Sequence, residues 1–214
     1  MNRIRLKDIL IFIVFEIIFM GLLVLLPSKT EVINFEHIST VSFIWYLYSL
    51  IIVTIIAKYR KVLTAWFKKD GFLRDFLWSL KVFPILFVLM MLIGLIFPVH
   101  DKNYVGFNIK NLDFSQKVLF TVIAVLIGPI TEELIFRGMV YNFLKNFMKV
   151  ESSIIITSLF FALFHPLETF PEILLLSILI NYFYETRANL VVPITLHSLN
   201  NTVALLSLFT LGGG

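Results

Sequence analysis

Seven apolar runs, most of them near the roughly twenty residues that span a bilayer as a helix, decide the class of fold before any single residue does. They are Ile9–Leu26, Val41–Ala57, Phe76–Phe97, Val118 to Phe136, Ser153–Phe164, Pro171–Tyr184 and Leu190–Leu211. A soluble all-helical core would need a polar face on each helix, and these runs have none. Composition agrees, because 59% of the residues are hydrophobic, 15% are charged and 23 are Phe, with a mean hydropathy of +0.93. The expected fold is therefore all-α, a polytopic transmembrane bundle of about seven spans, with membrane lipid as its surroundings.

The net charge of +4 would suggest nucleic acid as a partner for a soluble protein. Here the basic residues cluster between apolar runs, which fits the positive-inside bias of cytoplasmic loops, and no nucleic acid is expected. Arg3, Arg5 and Lys7 place the N-terminus in the cytoplasm, and Lys58, Arg60, Lys61, Lys68, Lys69 and Arg74 do the same for the second linker. The linkers around Lys29, Glu31 and Glu36, and around Asp101, Lys102, Lys110 and Asp113, fall outside. The first run follows a basic start but lacks a cleavage pattern, and Leu25–Leu26–Pro27–Ser28–Lys29 reads as a helix stop, so it is taken as a retained span. Gly212–Gly213–Gly214 has no partner pattern. With no cysteine in the chain, disulfides, thiolate nucleophiles and Cys-ligated zinc are excluded.

Ser153–Phe164 and Pro171–Tyr184 are too short to cross a ~30 Å core, and His165–Pro166–Leu167–Glu168–Thr169 between them reads as non-helical. Two short helices joined at membrane depth are tolerated only beside protein or a water-filled cavity, so a polar cavity is expected next to His165.

Ionisable groups inside apolar helices need a reason. Glu16 stands alone in the first span and reads as a group snorkelling or bonded to a neighbouring helix. The fourth span ends in Gly128–Pro129–Ile130–Thr131–Glu132–Glu133–Leu134–Ile135–Phe136–Arg137. Glu133 and Arg137 are i and i+4, with the acid N-terminal to the base, so they form a self-neutralising structural pair. Glu132 is rotated about 100° from Glu133 and is left as the free acid. His165 and His197 would each, alone, read as a satisfied core or capping histidine. In the seventh span, though, His197 and Asn201 share one face at i and i+4, which points to a cavity.

One free carboxylate, two histidines and an asparagine, without a suitably placed Ser or Cys nucleophile, point to activation of water. Glu132 would be the general base and His165 would orient the water, with His197 and Asn201 facing the developing oxyanion. The alternative is a zinc ion, a divalent metal held by Glu132, His165 and His197 with one open position. There is no H-E-x-x-H to force that choice.

The three motifs in order, Glu132–Glu133–x–x–x–Arg137, Phe161–x–x–x–His165 and His197–x–x–x–Asn201, resemble those of the CPBP family, the CAAX prenyl protease 2 and bacteriocin-processing (Abi) group. Thr186–Arg187–Ala188–Asn189–Leu190–Val191–Val192–Pro193–Ile194 also resembles the approach to the family's third motif. The resemblance covers about 118–205. It implies an intramembrane endopeptidase, a metalloprotease by family convention although a metal-free glutamate mechanism has also been argued. It assigns the catalytic acid to Glu132 and the other catalytic groups to His165, His197 and Asn201.

Family members commonly have eight spans, against seven here. On this reading residues 1–117 are N-terminal transmembrane helices and 118–211 the catalytic core. The substrate would be a membrane-associated peptide or protein, cut in CAAX-type or leader-type processing, and the Ile/Phe/Lys/Asn-rich usage resembles bacterial members. Two other functions fit the same bundle: a non-enzymatic scaffold acting in bacteriocin immunity or sensor-kinase regulation, and a small transporter, which would spread its polar residues over more spans.

Overall fold

The computed structural model describes residues 3–25, 35–98 and 112–211, and all regular structure among them is helical. The stop at Leu26–Pro27, the charges at Lys29, Glu31, Asp101, Lys102 and Lys110, and the terminal glycines lie outside the described residues. The helices are α1 (Leu6–Leu25), α2 (Phe35–Tyr59), the single turn α3 (Leu63–Trp66), α4 (Phe72–Ile96), α5 (Phe114–Leu144), α6 (Val150–Leu163), α7 (Phe170–Arg187) and α8 (Val191–Leu211).

Each of the seven expected runs is thus a helix. Among the described residues five stretches are long and apolar enough to cross a membrane: Ser39–Tyr59, Leu63–Ile96, Phe114–Leu144, Leu167–Arg187 and Val191–Thr210. The first helix adds 20 residues with one acid in the middle of an apolar sequence.

The pair expected to be short is short only on one side. α6 has 14 residues, but α7 has 18 and a 3-10 turn, Leu167–Thr169, precedes it. The apolar run stops at Tyr184 because Glu185 and Arg187 are charged, yet the helix continues through them. Glu185 accepts from Tyr141 Oη at 2.7 Å and pairs with Lys145, while Arg187 pairs with the buried Asp75 of α4. Charges neutralised by other helices cost the helix little, and their partners are remote in sequence. The turn into α8 runs through Ala188, whose φ of 51° is left-handed, and Asn189, which donates to Asp75 Oδ2 at 3.0 Å.

α5 is not a uniform helix. It starts at Phe114 rather than Val118, behind a capping box in which Asp113 accepts the Gln116 N–H at 2.9 Å and Gln116 Oε1 accepts the Asp113 N–H at 3.0 Å. The Gln116 N–H, with the Ser115 hydroxyl at 2.7 Å, holds the Asp113 carboxyl below the usual range. Two π-helical segments, Ile123–Ile127 and Leu134–Tyr141, then flank the α-helical Gly128–Glu133. The first has a cause in sequence: Pro129 has no N–H to give the carbonyl four residues back, so the turn before it widens. The second is matched by Asn142, whose Nδ2 donates to the Arg137 and Gly138 carbonyls at 2.7 and 3.1 Å. Widened turns re-aim the side chains that follow, and here they bracket both glutamates.

α6 and α7 form an antiparallel pair, α8 packs against α4, α7 and the first π segment, and α2 lies along the centre of α5. α1 touches the rest chiefly through α2. There Glu16 accepts from Trp45 Nε1 at 2.7 Å and Ser49 Oγ at 2.9 Å, so the lone acid of the first span is bonded to a neighbouring helix as expected.

At Gly138 the chain meets the Trp66 ring so closely that an added Cβ would lie 2.9 Å from it. Gly138→Val should therefore destabilise the protein by about 1–3 kcal/mol through overpacking, read as a lower thermal midpoint in detergent.

Candidate functional site

The site grows out of one buried ion pair. Arg137 and Glu133 are both fully buried, and Arg137 Nη1 donates to Glu133 Oε1 at 3.0 Å. The guanidinium also donates through Nη2 to Ser177 Oγ at 2.8 Å on α7, and its carbon sits 4.7 Å from the Phe161 ring centre on α6. Isolated, either charge would be costly in this apolar interior, and together they offset part of the desolvation, with Glu133 Oε2 and Arg137 Nε left without a hydrogen-bond partner among the described residues.

Glu133 does more than neutralise Arg137. The same Oε1 lies 2.8 Å from His197 Nδ1. A carboxylate held by a guanidinium can only accept, so the imidazole proton is assigned to Nδ1 and Nε2 turns its lone pair the other way. On that side, 3.8 Å from Nε2, is Glu132 Oε2. The two neighbouring glutamates thus divide as the helical rotation predicts, Glu133 into the ion pair and Glu132 to the other side of the histidine.

Glu132 is not wholly free, which corrects the expectation. Its Oε1 accepts a hydrogen bond from Tyr46 Oη at 2.6 Å. Its Oε2 is buried with no hydrogen-bond partner among the described residues.

Beside these atoms is a cavity of about 300 Å³, lined by Glu132, His165, His197, Asn201, Tyr46, Ser39 and Ser42 together with Phe120, Ile123, Ala124, Gly128 and Pro129. All four residues singled out as chemical therefore meet at one place, although they come from α5, the end of α6 and α8. His165 is half-buried and its Nδ1 bonds the Phe161 carbonyl at 2.9 Å, which again leaves Nε2 as the outward lone pair. The polar cavity expected beside His165 is present.

Asn201 is anchored by the first π segment. Its Nδ2 donates to the Ala124 carbonyl at 2.8 Å, a group inside the widened turn, and one further N–H remains on the same nitrogen.

Sequence reasoning missed three wall residues. Tyr46, Ser39 and Ser42 lie on α2 outside every motif, yet their i, i+3, i+7 spacing puts three hydroxyls on one face of an apolar helix, a signal that was there to be read.

The three proposed metal donors have suitable chemistry, since both imidazoles are tied at Nδ1 and offer Nε2, the arrangement common among metal-ligating histidines. They do not converge, however: among the described residues no three His, Asp or Glu groups lie close enough to hold an ion.

Removing half of a buried pair leaves the other half uncompensated. Arg137→Ala should cost about 3–5 kcal/mol and lower the yield of folded protein in detergent, whereas Glu16→Gln, on the α1–α2 contact, should cost far less in the same thermal measurement.

In comparison with known proteins, neither the curated proteins nor the solved structures gave a match. A sequence model of one family matches residues 114–203, the stretch that contains all three motifs. With the apolar helices, this makes the chain a multi-pass membrane protein with a protease-family segment. That segment, residues 114–203, matches the type II CAAX prenyl endopeptidase Rce1-like family, which bears out the resemblance drawn from the motifs.

Proposed function

We propose that the protein is an intramembrane endopeptidase that hydrolyses a peptide bond in a membrane-associated peptide or protein, with water activated by Glu132. The observation that carries this reading is the buried, unpartnered Glu132 Oε2 facing His197 Nε2 across 3.8 Å. Both are acceptors, so a water admitted as the two atoms part from 3.8 Å would give one proton to each and keep its lone pairs for a carbonyl carbon.

In the first step the water oxygen bonds to the scissile carbonyl carbon while its proton passes to Glu132. Glu133 fixes the tautomer of His197 and stabilises the imidazolium if the proton moves on, the role an acid plays behind a catalytic histidine. In the second step the C–N bond breaks as Glu132 returns its proton to the leaving nitrogen, and the water's other proton, left on the new carboxylic acid, passes to the amine, giving a carboxylate and an ammonium product.

In this proposal one expected role changes, that of His197. His197 with its proton on Nδ1 has no N–H to offer an oxyanion, and it sits beside the base, so it shares the water-orienting role with His165. The donor remaining for the oxyanion is the second N–H of Asn201. Its anchor on Ala124 fixes that donor in advance, as electrostatic stabilisation requires.

A CAAX-type substrate, or a leader or signal-like peptide, suits a cavity built among apolar helices, and a cytoplasmic N-terminus is part of the same proposal.

The test is hydrolysis of membrane-peptide candidates by purified protein. Glu132→Gln and His165→Ala should each lower kcat by about 10²–10⁴, and Asn201→Leu by about 10²–10³. If both Glu132→Gln and His165→Ala keep wild-type activity, the enzymatic reading falls and the scaffold reading replaces it. Hydrolysis should persist after chelator treatment. Loss of activity together with one equivalent of zinc would instead place an ion on Glu132, His165 and His197.

A further inference from the structure

Glu132 and its partner Tyr46 come from different halves of the chain. Tyr46 Oη donates to Glu132 Oε1 at 2.6 Å across 86 positions of sequence. A carboxylate can turn about its last bond, and tying one oxygen fixes where the other points. Here the untied oxygen is Oε2, which faces His197.

Several independent contacts hold the tyrosine in that position. Its ring packs over Gly128, where a Cβ would meet Tyr46 Cζ at an ordinary contact distance of 3.5 Å. Thr131 Oγ1, three residues along the same helix, donates to the Ile127 carbonyl at 2.8 Å and lies 3.4 Å from the Tyr46 carbonyl, so the α2 backbone runs against α5 here. On the other side of α2, Trp45 and Ser49 share one face at i and i+4, and both donate to Glu16 of α1. Adjacent residues on a helix point about 100° apart. With Trp45 locked to α1, Tyr46 must turn toward α5.

We propose that Tyr46 is a positioning residue for the reaction, holding the Glu132 carboxylate by Oε1 so that Oε2 meets the water. The site is then completed by α2, outside residues 114–203. The inference rests on the hydrolytic reading above. Tyr46 acts on the base and not on the peptide's grip, so its loss falls on kcat and leaves KM unchanged.

Peptide hydrolysis by the purified full chain tests this with Tyr46→Phe, Tyr48→Phe and Glu132→Gln. Tyr48 is the control: same residue type, same helix, but its hydroxyl donates to the Phe15 carbonyl at 2.9 Å, away from the cavity. Tyr46→Phe should lower kcat about ten- to a hundredfold, the scale of a lost hydrogen bond to a charged group, with KM and thermal midpoint near wild type. Tyr48→Phe should keep wild-type kcat. A Tyr46→Phe enzyme with wild-type kcat, a loss confined to KM, or an equal loss in Tyr48→Phe would overturn the positioning role. If that happens while Glu132→Gln is inactive, the hydrolytic reading stands alone. An active Glu132→Gln enzyme would sink both.

Discussion

The Arg137–Glu133 pair is the contact on which the C-terminal bundle depends. A fully buried guanidinium is unfavourable in an apolar interior unless its charge and its donors are met. Glu133 meets the charge, and three helices besides α5 surround the pair: Ser177 on α7 takes an Nη2 proton, Phe161 on α6 covers the guanidinium face, and His197 on α8 shares Glu133 Oε1, leaving Nε without a partner among the described residues. The same interaction that fixes four helices relative to one another also fixes the tautomer of the histidine in the cavity. Stability and chemistry therefore share one carboxylate oxygen, and no substitution at Glu133 can separate them.

The second constraint is the altered helical geometry of α5. Pro129 withholds an N–H, the turn before it widens, and the carbonyl of Ala124 inside that turn is met by Asn201 from α8. Asn142 answers the second widened segment in the same way. Between them Gly128 has no Cβ to meet the Ile123 carbonyl of the widened turn, 2.9 Å from where one would stand. Each irregularity is matched by a polar side chain, Asn201 from α8 for the first and Asn142 from the next turn of α5 for the second, as required where no water is at hand to satisfy backbone groups.

Much of this was legible before the structure, and the reason is local periodicity. Glu133 and Arg137 meet because they are four apart, and Glu132 faces elsewhere because a helix turns 100° per residue within the α-helical Gly128–Glu133. His197 and Asn201 share a face for the same reason, and the order of the three motifs announced a shared cavity. What stayed hidden involves partners far apart in sequence. The extension of α7 to Arg187 depends on Asp75 and Lys145, the bond to Glu132 on Tyr46, and the second duty of Glu133 on His197, 64 positions away. A self-neutralising pair read from sequence does not reveal a third group on the same oxygen.

The central claim is that two adjacent glutamates have different work, Glu133 holding the bundle and the histidine, and Glu132 acting on water. Thermal midpoint and peptide turnover measured side by side for Glu132→Gln and Glu133→Gln test it most directly. The account predicts that Glu132→Gln unfolds like wild type but does not hydrolyse, while Glu133→Gln loses both stability and turnover. Equal destabilisation by the two substitutions, or turnover surviving in Glu132→Gln, would contradict it.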